Sequence, residues 1–63
     1  MRYKVILELP GQQEIDRQQF DDLEVAKERA ECLALAWAAS ERSAVTARVL
    51  DSDENQLAIF GAG

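Results

Sequence analysis

One long amphipathic segment, residues 21–40, constrains the fold more than any other feature of this sequence. Asp21 with Glu24 forms a capping-box pattern, and Phe20 with Val25 fits the accompanying hydrophobic staple, so we expect an α-helix to begin here. Its apolar side chains recur every three or four residues and form one stripe: Leu23, Ala26, Ala30, Leu33 and Trp37. With no second helix to cover that stripe, we expect it to pack on a β-sheet, with the indole in the core rather than on a binding surface.

Segments on both sides of the helix have the patterns of strands and turns. Residues 3–9 alternate apolar and polar side chains, and Pro10-Gly11 predicts a turn after them. Residues 12–19 hold one large apolar side chain, which is typical of a polar strand at a sheet edge. Residues 44–50 and 57–60 predict a closing hairpin, and we expect the last three residues to fray.

The segment order is β-β-α-β-β, and the 63 residues make one small α+β domain, residues 1–63. Short connections favour neighbouring antiparallel strands, so we expect a four-stranded antiparallel sheet in the order 2-1-3-4. The helix then covers one face of the sheet, and the other face stays open to solvent. A chain of this length buries only about 60% of its unfolded surface, so the core is thin.

The composition argues against catalysis, because the chain has no histidine. Histidine is the usual general base, the usual partner of a nucleophile and the commonest transition-metal ligand. We therefore expect that the protein is not an enzyme and that it has no catalytic residue, no cofactor and no metal site. The predicted neighbours of Cys32 on its side of the helix are Glu28 and Ala36, so no clear cationic partner activates it, and we expect it to be a half-buried apolar residue. Residues 51–54 are acidic, but a calcium loop of the EF-hand type is longer and has a central glycine, so we interpret them as a solvated hairpin tip.

Bulk properties also suggest a compartment and a class of partner. A single cysteine cannot form an internal disulfide, which favours the reducing cytoplasm. The apolar run at the N-terminus is too short for a signal peptide or a membrane span, so no membrane is expected. With 12 acidic and 7 basic residues the net charge is −5, which disfavours direct binding to nucleic acid. The partners are expected to be proteins, among them nucleic-acid-binding complexes.

An acidic edge is the leading candidate for partner binding. Its seven members lie along the second strand and the start of the helix: Glu14, Asp16, Asp21, Asp22, Glu24, Glu28 and Glu31. Carboxylates spaced along an edge imitate a run of phosphates and fit the basic groove of a nucleic-acid-binding protein. The alternative is that these charges only keep the surface solvated.

A second interpretation is a homodimeric structural or accessory subunit. Leu35 and Ala39 continue the acidic side of the helix as an apolar surface that favours self-association. On the open sheet face we expect the following side chains: Lys4, Ile6, Glu8, Thr46, Arg48, Leu50, Ala58 and Phe60. A dimer would bury Ile6, Leu50 and Phe60. A weaker alternative uses the basic side chains Arg2, Lys4 and Arg48 to bind single-stranded nucleic acid, without the paired aromatics typical of such sheets.

In its layout the chain resembles several very small phage and mobile-element proteins. The resemblance rests on residues 2–7 (RYKVIL), the polar second strand, the capped helix and the closing hairpin. Such proteins include anti-CRISPR proteins, which block the DNA-binding surface of a surveillance complex, and a phage inhibitor of bacterial RNA polymerase. The resemblance covers most of the chain as element order, and it implies a non-catalytic inhibitor that occupies a partner's surface. The start is also similar to an antitoxin family with a degenerate RNase H-like fold, but the additional strand and DNA-binding segment of that family are missing.

Overall fold

The computed structural model describes residues 2–11 and 13–63, and within them four strands form one sheet with one helix packed on it. The elements are β1 (Tyr3–Leu9), β2 (Gln13–Phe20), α1 (Leu23–Glu41), β3 (Val45–Leu50) and β4 (Gln56–Ala62). All neighbouring strands are antiparallel, and their order is β2-β1-β3-β4. The predicted α+β class, element order and sheet topology are therefore confirmed.

The core lies between α1 and the sheet. The alternation of β1 and β3 directs one set of apolar side chains toward the helix, and Leu7, Val5, Val45 and Val49 are the largest fully buried ones. The helix meets them with a ladder of buried alanines, one turn apart, at Ala26, Ala30, Ala34 and Ala38. Because each alanine adds a single methyl group, the strands supply most of the volume of the core.

Larger helical side chains lie on the flanks of this alanine ladder. Leu23, Leu33 and Trp37 are half-buried and pack against the core. Trp37 packs against the core as predicted, but its indole is half-buried at the border of the core and does not fill the space between helix and sheet.

The helix begins one residue later than the capping pattern predicts. The Oδ1 atom of Asp22 accepts hydrogen bonds from the backbone N–H groups of Glu24 (2.8 Å) and Val25 (3.2 Å), so Asp22 is the N-cap in place of Asp21. The staple positions then fall on Asp21 and Ala26, and the predicted staple of Phe20 with Val25 does not apply.

At its other end α1 continues to Glu41, slightly beyond the predicted end. Arg42 closes it in the left-handed region with φ 53°, and its N–H bonds to the carbonyl of Ala38. No helix in the described part of the chain is long and apolar enough to cross a membrane.

The strands differ from the expected ones mainly at their ends. β1 has the predicted bounds, and Gly11 adopts a φ of 89° in the turn after it. Gln12, which the sequence places in the second strand, lies outside the described residues. β4 is longer than expected, because Gly61 pairs with Thr46 and Ala62 with Val45. The C-terminal segment expected to fray is therefore held in the sheet up to Ala62.

Candidate partner-binding surfaces

The seven acidic residues predicted to form one edge are distributed over several parts of the molecule. In β2, Asp16 lies opposite Leu7 on the helix side of the sheet, whereas Glu14 lies opposite Glu8 on the outer side. A bulge between these two pairs inserts Ile15 and reverses the alternation. Two carboxylates expected on one edge thus point to opposite faces.

Several of these carboxylates have local structural partners. Glu14 binds Arg17 at 2.9 Å, and this hydrogen bond, together with the charge of Glu14, raises the pKa of Arg17. Asp16 accepts hydrogen bonds from the backbone N–H of Arg17 (2.9 Å) and the side-chain amide of Gln18 (3.1 Å). Asp22 caps the helix, as described above. These groups help to hold β2 and the start of α1 in place.

Three of the carboxylates have no such partner. Glu24, Glu28 and Glu31 are exposed, and across residues 2–11 and 13–63 none of them forms an ion pair. Their spacing of four and three residues places them on one side of α1. We refer to Glu24, Glu28 and Glu31 as the acidic helix face.

Apolar side chains continue the acidic helix face toward the end of α1. Leu35 is 60% exposed, and Ala39 is exposed one turn later. Glu28, Glu31, Cys32 and Leu35 line a shallow depression. The prediction that Cys32 is half-buried is wrong: the thiol lies on the solvent side of α1, because the alanine ladder faces the sheet.

The face of the sheet away from the helix carries a layer of ion pairs. In the described chain these are Arg17 with Glu14 (2.9 Å), Arg48 with Glu8 (3.2 Å) and Lys4 with Glu54 (3.4 Å). Two of the cations proposed above for binding nucleic acid, Lys4 and Arg48, are therefore paired with carboxylates. The third, Arg2, lies 4.0 Å from Asp21.

The outer-face apolar side chains of β1 and β3 lie among these charged residues and are buried. Ile6 lies between Arg17 on one side and Arg48 on the other, and only 6% of it is exposed. Leu50, opposite Lys4, is 3% exposed. The aliphatic parts of long cationic side chains commonly cover apolar surface in this way. Ile6 and Leu50, expected to be contacts for a second copy, are buried by their own chain.

The side chains of β4 point to the faces of the sheet opposite to those predicted. Ala58 and Phe60 were expected on the open face, but they lie opposite Val49 and Ala47 and pack against the core. A bulge between Val49 and Leu50 of the β3–β4 pairing shifts the alternation by one residue. As a result Leu57 and Ile59 point outward, with 43% and 56% exposure. No turn residue in the sequence marks this bulge.

The hairpin tip between β3 and β4 is organised by Asp51. Its Oδ1 atom accepts hydrogen bonds from the backbone N–H groups of Asp53 and Asn55, each at 2.9 Å, and the Asn55 amide donates to Oδ2 at 3.2 Å. These bonds, led by the one from the Asn55 backbone, lower the pKa of Asp51. In the part of the chain that the structure describes, no group of three or more potential ligands is placed to hold a metal ion.

Comparison with known proteins identified no similar protein. A scan of family models, a search of curated proteins and a search of solved structures each found no match.

Proposed function

We propose that this protein is a non-catalytic binding protein that uses the acidic helix face to occupy a basic, nucleic-acid-binding surface of a partner protein. In this role it acts as an inhibitor, as do the small phage and mobile-element proteins that its layout resembles. The observation that carries the proposal is the exposure of Glu24, Glu28 and Glu31 on one side of α1, where none of them forms an ion pair in the described chain.

The spacing of these carboxylates suits a partner lined with arginine and lysine. Along the helix axis they follow one another at about 6 Å and about 4.5 Å, from a rise of about 1.5 Å per residue. Fixed charges at this density attract a basic groove over several ångströms and raise the rate of encounter. Salt screens this attraction, so the association rate is expected to fall as ionic strength rises.

The apolar part of the same helix surface provides short-range contact. Leu35 and Ala39 continue directly from the acidic helix face and are open to solvent. Protein interfaces typically combine an apolar centre with a polar or charged rim. A partner that covers the whole solvent side of α1 would therefore bury Leu35 while its cations meet Glu28 and Glu31.

The test is affinity capture from a bacterial lysate after nuclease treatment, followed by binding measurements with the purified retained complex. The test variant carries Glu28→Lys and Glu31→Lys, because neither side chain has a structural partner in the described residues. Glu24 is left unchanged, since a cation in the first turn opposes the helix dipole. The matched control carries Glu41→Lys and Asp53→Lys, two exposed acids elsewhere on the molecule with the same total change of charge.

We expect the wild type and the control to retain the same nucleic-acid-binding complex and the Glu28/Glu31 variant to lose it. Added DNA or RNA should compete with the protein for that complex. Equal loss in both variants would indicate a general effect of net charge, and retention by the Glu28/Glu31 variant would exclude this helix surface as the contact.

A further inference from the structure

The outer edge of β4 has the features of a strand that pairs with another strand. Within the described chain β4 is hydrogen-bonded to β3 only, so alternate backbone N–H and C=O groups along its free edge remain available. Its seven residues, QLAIFGA, contain no charge and no proline. Two of its outward side chains, Leu57 and Ile59, are large, apolar and exposed.

The opposite edge of the sheet, in contrast, is protected against pairing with another strand. β2 carries the charged residues Glu14, Asp16 and Arg17, and its bulge at Ile15 interrupts the regular pairing surface. Charges and bulges are the devices by which natural sheets prevent pairing at an edge. β4 has no charge, and its bulge at Leu57 lies at the hairpin end of the strand.

We propose that β4 is a self-association site, at which a second copy of this chain adds its own β4 antiparallel to the first. The pairing is centred on Ile59, the middle residue of the strand, and it joins the two sheets into one of eight strands. A two-fold axis perpendicular to the sheet relates the copies, so both helices lie on the same face. The free edges of the product are the two β2 strands, and assembly therefore stops at the dimer.

The side chains of β4 are complementary to themselves in this register. With Ile59 opposite its own counterpart, Leu57 lies opposite Gly61 of the second copy. A Cβ atom placed on Gly61 would meet nothing within 4 Å, so there is open space on the outer face for the leucine. On the helix side, Ala58 lies opposite Phe60 of the second copy.

Charge also limits where a second copy can approach. The chain has a net charge of −5, so two copies repel each other over most of their surface. None of the charged residues lies on β4, where repulsion between closely approaching copies is least. The pairing uses no residue of the acidic helix face and does not depend on the proposed function.

Sedimentation equilibrium over a wide range of protein concentration tests the proposal. The wild type is expected to shift from 7.0 kDa to twice that mass as concentration rises. Ile59→Lys places two ammonium groups opposite each other and should raise the dimer dissociation constant about tenfold or more. Leu35→Lys is the control, because it changes another large exposed apolar residue by the same charge and should leave the constant unchanged.

Circular dichroism checks that both variants keep the fold. A monomer at every concentration, species larger than a dimer, or a dimer weakened by Leu35→Lys and not by Ile59→Lys would each overturn the proposal.

Cysteine cross-linking tests the register directly. In a Cys32→Ser background, Ile59→Cys places two thiols directly opposite each other, within the reach of a disulfide. Leu57→Cys, two residues away and similarly exposed, places its thiols several residues apart along the paired strands. Oxidation should cross-link the Ile59→Cys protein and leave the Leu57→Cys protein largely monomeric under denaturing conditions. Equal cross-linking of both proteins, or of neither, would overturn the assigned register.

Discussion

The two faces of the sheet bury apolar side chains by different means. On the helix side, Leu7 and its neighbours are sealed by the alanine ladder of α1. On the outer side, Ile6 is almost as deeply buried, but beneath the side chains of Arg17 and Arg48. A domain with one helix can therefore bury a second, thinner apolar layer beside long cationic side chains held in ion pairs.

The strongest test of this comparison is a truncation on the helix side. Leu7→Ala removes a fully buried side chain from a rigid environment and should lower the free energy of unfolding by about 3 to 4 kcal/mol. This is a large share of the stability of a small domain, which is about 0.05–0.15 kcal/mol per residue. Urea unfolding followed by circular dichroism measures the loss.

The matching truncation on the outer side should cost less. Ile6→Ala leaves a gap beside flexible arginine and lysine side chains, which can close over it, and we expect a loss of about 2 kcal/mol in the same assay. If Ile6→Ala proves as destabilising as Leu7→Ala, the outer layer is as rigid as the core and the distinction between the two faces fails.

A third experiment separates the aliphatic part of Arg48 from its charge. Two double variants, Arg48→Met with Glu8→Gln and Arg48→Ala with Glu8→Gln, both remove the ion pair and differ only in the side chain next to Ile6. We expect the methionine variant to be more stable by about 1 kcal/mol, on the scale of about 0.8 kcal/mol per buried CH₂. Equal stabilities would show that the outer layer depends on charge pairing instead.

The hairpin tip is connected to the outer face because Glu54 forms an ion pair with Lys4. A change at this tip should alter stability only slightly, through its dependence on pH. The hydrogen bonds to Asp51 lower its pKa in the folded state. Its stabilising contribution is therefore complete above the ordinary value of 3.8 and is lost as the pH falls through the lower folded value.

Asp51→Asn removes that titration, so the variant should lose less stability than the wild type on acidification below this range. Thermal midpoints measured at neutral and acidic pH give the comparison. Asp53→Asn, which removes a carboxylate outside these hydrogen bonds, should behave as the wild type does. A parallel decline in all three proteins would exclude Asp51 as the source of the effect.

Sequence patterns were sufficient for the element order and the sheet topology, because alternation in β1 and the stripe in α1 are long and regular. They failed where one extra residue in a strand shifts the alternation of side chains between the two faces of the sheet. The bulge at Ile15 separates Glu14 from Asp16, and the bulge at Leu57 turns Phe60 into the core. Each bulge is a feature of the pairing between two strands, so the alternation within one strand does not reveal it.

Other differences from the predicted structure do have a local signal in the sequence. Asp21 and Asp22 are equally good caps by residue type, and the glutamate three residues after Asp21 favoured the wrong one. For Cys32, helical periodicity already placed the thiol beside Glu28 and Ala36, on the side opposite the stripe. The part of the candidate site that could be predicted is the alignment of Glu24, Glu28 and Glu31, which depends on the helical repeat alone.

The alanine ladder also bears on how the helix finds its axial position. Because alanine recurs every four residues from Ala26 to Ala38, sliding α1 by about 6 Å, the rise of four residues, and rotating it by about 40° places methyl groups where methyl groups were before. The ladder therefore fixes the spacing between helix and sheet but leaves neighbouring settings nearly degenerate. The larger side chains Leu23, Leu33 and Trp37 do not follow this repeat, so they distinguish the possible axial positions and fix the position of the helix on the sheet.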